Sequence, residues 1–404
     1  MSRICFVAWT SSGTVAYSHF AMARSLSRAV EAGGRALLEY PVGASEPRSL
    51  AGPRIATLRS RRVRGLWAAP MAMGCPGSVA MVRARLHVVS GKGGTGKTTV
   101  AAALAIALAS HGHRTLLCEV EGRQGIAQLF DLPPLSYKER KIAIAPGRGE
   151  VFGLAIDAEA ALLEYLDLFY KLGRAGRTLD RIGAIDFATT VAPGMRDVLL
   201  TGKAYEATRR RDKRRQYVYD AVVLDAPPTG RISRFLNVNT EVAGLARMGP
   251  IHRHAVSIMR FLKSPSTAVH LVTLLEEMPV QEAADGRAEL TANGLHVGAV
   301  FVNMVREPLL PAKEIKQAMA GKLDRKTVAA GLTAAGLSPV DAFVDALLLD
   351  ASDHAQRIAL EQSERKALVE LGRPIFELPR LADGVDLGGL YALASRLGGV
   401  AEAA

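Results

Sequence analysis

The stretch RLHVVSGKGGTGKTTVAAALA, from Arg85 to Ala105, constrains the fold of this 404-residue chain more than any other. An apolar run precedes a glycine-rich turn, and an Ala/Leu run follows it, which predicts strand, loop and helix in that order. Gly91, Gly96, Lys97 and Thr98 satisfy G-x-x-x-x-G-K-[ST]. Gly93, Gly94 and Thr95 complete the loop, and Thr99 opens the helix behind it. Glycines suit a loop whose backbone N–H groups must curl around phosphate oxygens, and the helix aims its positive end at the same anion. Lys97 is the expected contact to β- and γ-phosphates, and the Thr98 hydroxyl the expected Mg²⁺ ligand, with ATP as substrate.

Lys92 is a second cation, placed directly after the first glycine. An ordinary phosphate loop has no need of it. KGGTGKTT resembles the deviant phosphate loop of dimeric ATPases, among them MinD, ParA, the nitrogenase iron protein and the ArsA-like arsenite-pump/tail-anchored-protein-targeting family. The resemblance implies that Lys92 reaches the nucleotide of a partner subunit, as an arginine finger would.

VYDAVVL (218–224) predicts a third strand, after the one before the phosphate loop and 114–120, and places Asp225 at its carboxyl end. Open α/β sheets bind ligands there, and a carboxylate at that point is expected to hold Mg²⁺ through water. Asp225-Ala226-Pro227-Pro228-Thr229-Gly230, continuing to Arg234 and Leu236, closely resembles the second switch of the ArsA-like branch. Aligning LLCEV with that family puts Glu121 where an aspartate orients the attacking water, with Gln124 as a rival. Glu119 is expected to face away and to be structural. Asn303, ending GAVFVN, matches the family's adenine-binding asparagine. Pro379, Arg380 and Leu381 match its adenine-side loop. EVEGRQGIAQLF and LLTGK resemble an actinobacterial subgroup.

Alternating strands and helices predict an α/β chain, which the resemblance makes a P-loop NTPase with a mostly parallel sheet flanked by helices on both faces. Helical insertions are expected at about 155–216 and 241–266 within an ATPase domain spanning 81–404. Residues 1–80 are expected to be a poorly structured extension, with Met71, Met73 and Met81 as alternative starts. The formal net charge of +12 suggests a nucleic-acid partner until it is located. Residues 1–85 hold twelve Arg, no Lys and three Glu, a net of +9, which leaves +3 for the rest. No nucleic acid is therefore expected. The run Arg209–Arg215 is expected to be a solvated helix end or loop.

Three cysteines (Cys5, Cys75, Cys118) offer neither a disulfide framework nor metal-ligand spacing, which suits a reducing cytoplasm. The family's zinc C-x-x-C is missing, and Cys118 alone cannot bind arsenite, so neither ligand is expected. No apolar run reaches the roughly 18 residues that a membrane span needs. The expected protein is a cytoplasmic Mg²⁺-ATPase, working as a homodimer or with a paralogue on an unknown client. The apolar helix 160–172 is a possible client groove. The rival expectations are a MinD/ParA-like positioning switch and a regulatory subunit that hydrolyses ATP weakly.

Overall fold

A computed structural model describes residues 84–110, 112–170, 194–245, 250–382 and 384–398. The expectations for residues 1–80 and for part of the first helical insertion lie outside the described residues.

Sequence spacing and backbone agree closely around the phosphate loop. Strand β1 (Leu86–Gly91) is buried along its whole length, and helix α1 (Lys97–Ala109) follows the loop. From Val100 to Ala109 every residue of α1 is buried and uncharged, so this helix is wrapped by protein on all sides. The elements β2 (Arg114–Glu119), α2 (Gly125–Leu129), β3 (Arg140–Ile144) and β4 (Glu150–Ala155) come next. Helices α3 (Ala158–Tyr170) and α4 (Met195–Arg209) lead to β5 (Ala221–Asp225). Then come α5 (Thr229–Leu245), α6 (Pro250–Leu262), β6 (Thr267–Thr273), α7 (Glu277–Ala292) and β7 (Val297–Val305). The chain ends with α8 (Ala312–Met319), α9 (Arg325–Ala334), α10 (Asp341–Val369), β8 (Ile375–Pro379) and α11 (Leu387–Arg396).

Eight strands form one sheet in the order β3-β4-β2-β5-β1-β6-β7-β8. Only the β3–β4 pairing is antiparallel. Successive strand residues point to opposite faces, and the two cores follow that rule. Val89, Leu117, Val223 and Phe301 pack with α1 and α11. Val88, Leu116, Leu224 and Leu271 pack with α4, α5, α6 and α7. Burial on both faces explains why these strands read as continuous apolar runs.

Compactness divides the described chain into two units. One comprises the sheet with its helices, to Glu307 and again from Arg357. The other is the helical segment Pro308–Gln356, with its own small core of Leu332, Val344 and Leu347. Asp324 caps α9 there through the N–H groups of Lys326 and Thr327, both at 3.1 Å. No helix among the described residues is long and apolar enough to cross a membrane.

Candidate active site

The carboxyl ends of β1, β2, β5 and β7 bring the expected residues together. Gly94 (φ 87°) and Gly96 (φ 82°) carry the left-handed turns that lead into α1. A Cβ on Gly91 would stand 2.2 Å from the Val272 carbonyl oxygen, and one on Gly96 2.3 Å from Asn303 Nδ2. Close approach thus requires glycine at 91, dihedral angle favours it at 94, and both constraints act at 96. The Thr95 hydroxyl donates to the Lys92 carbonyl at 2.8 Å, and Lys97 Nζ approaches that oxygen at 3.4 Å. Burial lowers the Lys97 pKa, while the nearby Asp225 and Glu121 charges oppose the shift. Lys97 therefore stands in a partly dry recess that favours a counter-anion.

Asp225 is buried at the end of β5. Its Oδ2 accepts a 2.6 Å hydrogen bond from Thr98 Oγ1, whereas its Oδ1 is buried without a partner. Burial pushes the carboxyl up to about 6; Thr98 and Lys97 pull against this, and Glu119 and Glu121 add to it. An orphaned carboxylate oxygen beside a threonine hydroxyl fits Mg²⁺, the oxygen-seeking cation that such loops hold together with nucleotide phosphates. Among the described residues no group of three or more His, Cys, Asp or Glu converges to cage a metal.

The second switch is tied to β1: Ser90 Oγ donates to the Pro227 carbonyl at 2.6 Å, and Ala226 N to Val89 O at 3.0 Å. Pro228 accepts from Arg231 N and Ile232 N, opening α5 at Thr229. Gly230 has open space where a side chain would stand.

Sequence reasoning missed Glu282, one turn into α7. Its Oε1 lies 2.6 Å from Lys92 Nζ, and its Oε2 accepts from Thr229 Oγ1 at 3.3 Å. One carboxylate thereby joins the signature lysine to the second switch. Its only sequence signal was an acidic residue in the helix after a central strand.

Two expectations around β2 need revision. Glu119 does not face away: it is buried in register with Asp225, and its carboxylate accepts from Gly125 N (3.3 Å) and Ile126 N (3.5 Å) at the start of α2. Gln124 is not poised for water. Its amide accepts from Leu135 N at 2.7 Å and donates to Leu135 O at 3.1 Å, so both ends serve the loop. Glu121 is half-buried just beyond β2, with Oε2 3.4 Å from Arg123 Nε. It is close enough to Lys97 and Asp225 to bias both.

On the other side of the loop, a cavity of about 460 Å³ contains Asn303 and Arg380, with Met304, Arg306 and Glu361. Asn303 Nδ2 donates to the Thr95 carbonyl at 2.9 Å, bracing the phosphate loop. A carboxamide has more hydrogen-bonding capacity than this one bond uses. Arg380 N donates to Val305 O at 2.8 Å, which splices the adenine-side loop to β7. Pro379 and Leu381 do not line the cavity; Pro379 closes β8, and Leu381 packs on the core under α11. Glu361 Oε2 and Arg306 Nε are buried in this region without partners. Burial raises the Glu361 pKa and lowers that of Arg306, so the cavity presents both donors and acceptors that lack a ligand's complement.

The run Arg209–Arg215 is a helix end and a tight turn. Arg210 pairs with Glu206 (2.6 Å) and Glu139 (2.5 Å), and Arg211 forms a bridge to Tyr217. Cys118 is wholly buried in β2, and burial pushes its thiol pKa far up.

Comparison with known proteins gives this geometry a context. A family model described as anion-transporting ATPase matches residues 84–265. The ATPase BagA of Mycobacterium tuberculosis is 53% identical over 313 residues, covering 78% of this chain and 92% of that protein. A putative arsenical pump-driving ATPase of Prosthecochloris vibrioformis is 32% identical over 160 residues, 38% of this chain and 35% of its own length. The arsenical pump-driving ATPase of Escherichia coli is 26% identical over 237 residues, 54% of this chain and 38% of its own.

Proposed function

Because the chain belongs to the ArsA-type anion-transporting ATPase family and hydrolyses ATP, we propose that it does so as a nucleotide-gated dimer. In this reading ATP draws two subunits together and hydrolysis releases them, the cycle acting on a client protein. The partner subunit is a second copy or a paralogue. The pair between Lys92 and Glu282 carries the proposal. Within one subunit Lys97 already serves the phosphate loop, while the Lys92 ammonium is held at 2.6 Å by a carboxylate on α7. A lysine held this way serves no nucleotide until something draws it off, and a partner's phosphates are suited to that.

The chemistry is attack of water on the γ-phosphate in line with the leaving oxygen. Lys97 binds the β- and γ-phosphates, and Glu121 orients the water and accepts its proton. Lys92, released from Glu282, adds positive charge as negative charge builds on the transferred group. Thr98 and the free Oδ1 of Asp225 would hold Mg²⁺, which supplies charge neutralisation on the phosphates when bound. Asn303 and Arg380 flank the base.

The geometry of Glu121 favours a second reading, a subunit that binds ATP tightly and turns it over slowly. Its carboxylate leans on Arg123 at 3.4 Å and must leave that contact to meet water. Single-turnover hydrolysis separates the two readings. Sedimentation of the full chain with Mg·ADP and with a non-hydrolysable ATP analogue tests the gated dimer. The proposal expects monomer with ADP and dimer with the analogue. The same oligomeric state under both conditions would overturn it.

A further inference from the structure

The opposite end of the sheet holds a second cavity of about 510 Å³ whose lining includes Arg85, Arg209 and Arg260 and, among the described residues, no acidic side chain. Arg85 immediately precedes β1, whose six residues separate it from the phosphate loop by about 20 Å at the usual rise of a strand. Its guanidinium lies 3.3 Å from the centre of the Tyr217 ring, and its Nη2 donates to the Tyr219 carbonyl at 2.8 Å. Its Nε is buried without a hydrogen-bond partner. Arg209 donates to the Tyr205 hydroxyl and stands over that ring, 5.2 Å from its centre. Arg260 is exposed at the end of α6.

None of the three makes an ion pair among the described residues. Asp220, the acidic group acting on Arg85, is engaged elsewhere: its Oδ2 accepts from Arg114 N at 2.8 Å and lies 3.6 Å from His113. Helix carboxyl ends favour cations, which accounts for Arg209 in the last turn of α4 and Arg260 in that of α6. It does not account for Arg85, which enters from the strand side and buries an unsatisfied N–H. Three guanidinium groups lining one cavity, with no ion-pair partner among the described residues, leave a concentration of positive charge that a bound anion would neutralise. Planar forks of this kind match phosphate oxygens bidentately.

We propose that this cavity is a binding site for a small phosphate ester or diphosphate, separate from the ATP site. The test is calorimetric titration of inorganic pyrophosphate into the full chain saturated with Mg·ADP, so that the phosphate loop is already filled. The expected result is one site per chain, weakened at least about tenfold in Arg260→Ala through loss of a charged fork. ATP hydrolysis and melting temperature are expected to be unchanged in that variant, since Arg260 is exposed in the last turn of α6 and lines this cavity rather than the nucleotide site. Arg85→Lys, which keeps the charge but removes the fork, is expected to weaken binding as well. Absence of pyrophosphate binding, equal binding in Arg260→Ala, or equally tight binding of citrate would overturn the assignment.

Discussion

Replacing Asp225 by asparagine should stabilise the nucleotide-free protein while abolishing Mg²⁺-dependent hydrolysis. Burial moves the Asp225 carboxyl from an ordinary 3.8 to about 6. At roughly 1.4 kcal/mol per pH unit, keeping it ionised at neutral pH costs about 3 kcal/mol. Asparagine removes that charge and still offers an oxygen to Thr98 Oγ1, which now sits 2.6 Å from Oδ2. It also places an N–H₂ where Oδ1 has no partner, at a cost of about 1 kcal/mol. The net gain is therefore about 1–2 kcal/mol, or a few degrees in melting temperature.

The sign with pH follows from the raised value. Favourable folding linked to the protonated carboxyl is complete below 3.8 and is lost as pH rises through about 6. The advantage of Asp225→Asn should accordingly be full at pH 7.5 and nearly absent at pH 4. Calorimetric melting of both proteins without nucleotide, compared as a difference, cancels the titration of groups common to both. Destabilisation by the substitution at pH 7.5, or the same difference at both pH values, would refute the reasoning. Such a gain marks a residue kept for function at the expense of stability.

Three further outcomes are expected. His87 and His270 form a buried relay: Ala299 N donates to His270 Nδ1 (3.1 Å), His270 Nε2 lies 3.1 Å from His87 Nδ1, and His87 Nε2 lies 3.0 Å from Ala84 O. Only two neutral Nε2–H rings satisfy every bond, and burial holds His87 down at about 4. Stability from this pair is full above 6.5 and falls as pH drops toward 4, by about 3 kcal/mol for His87. Urea unfolding across that range, compared with His87→Gln, should show the variant's slope with pH reduced. Gly91→Ala should destabilise the protein by about 1–3 kcal/mol through overpacking, because its Cβ would meet the Val272 carbonyl at 2.2 Å. Thermal melting checks this. Glu282→Gln should free Lys92, and for a half-exposed pair worth up to about 1 kcal/mol it should lower the ATP concentration needed for dimerisation up to about fivefold. Sedimentation across an ATP titration reads that change.

The parts legible in the sequence were those where a local pattern carries its own chemistry. The strand and helix flanking the phosphate loop, and Asp225 at a strand end, were placed within a few residues. The parts that were not legible depend on distant pairing. β3 and β4 were missed, β3 being a largely exposed edge strand whose RKIAI lacks a continuous apolar run. Glu119 is structural as expected, capping the start of α2, but that it faces Asp225 is a fact of sheet order. Glu282 reaches Lys92 across 190 residues of chain, so no short window contains both.

The central claim is that Lys92 serves the nucleotide of the opposite subunit. Mixing Lys92→Ala with Glu121→Ala, each inactive alone, tests it most directly. Random pairing makes half the dimers mixed, each with one complete site, so about a quarter of wild-type hydrolysis should return for a two-fold dimer. If the mixture stays as inactive as its components while mixed dimers are shown to form, Lys92 acts within its own subunit and the account is contradicted.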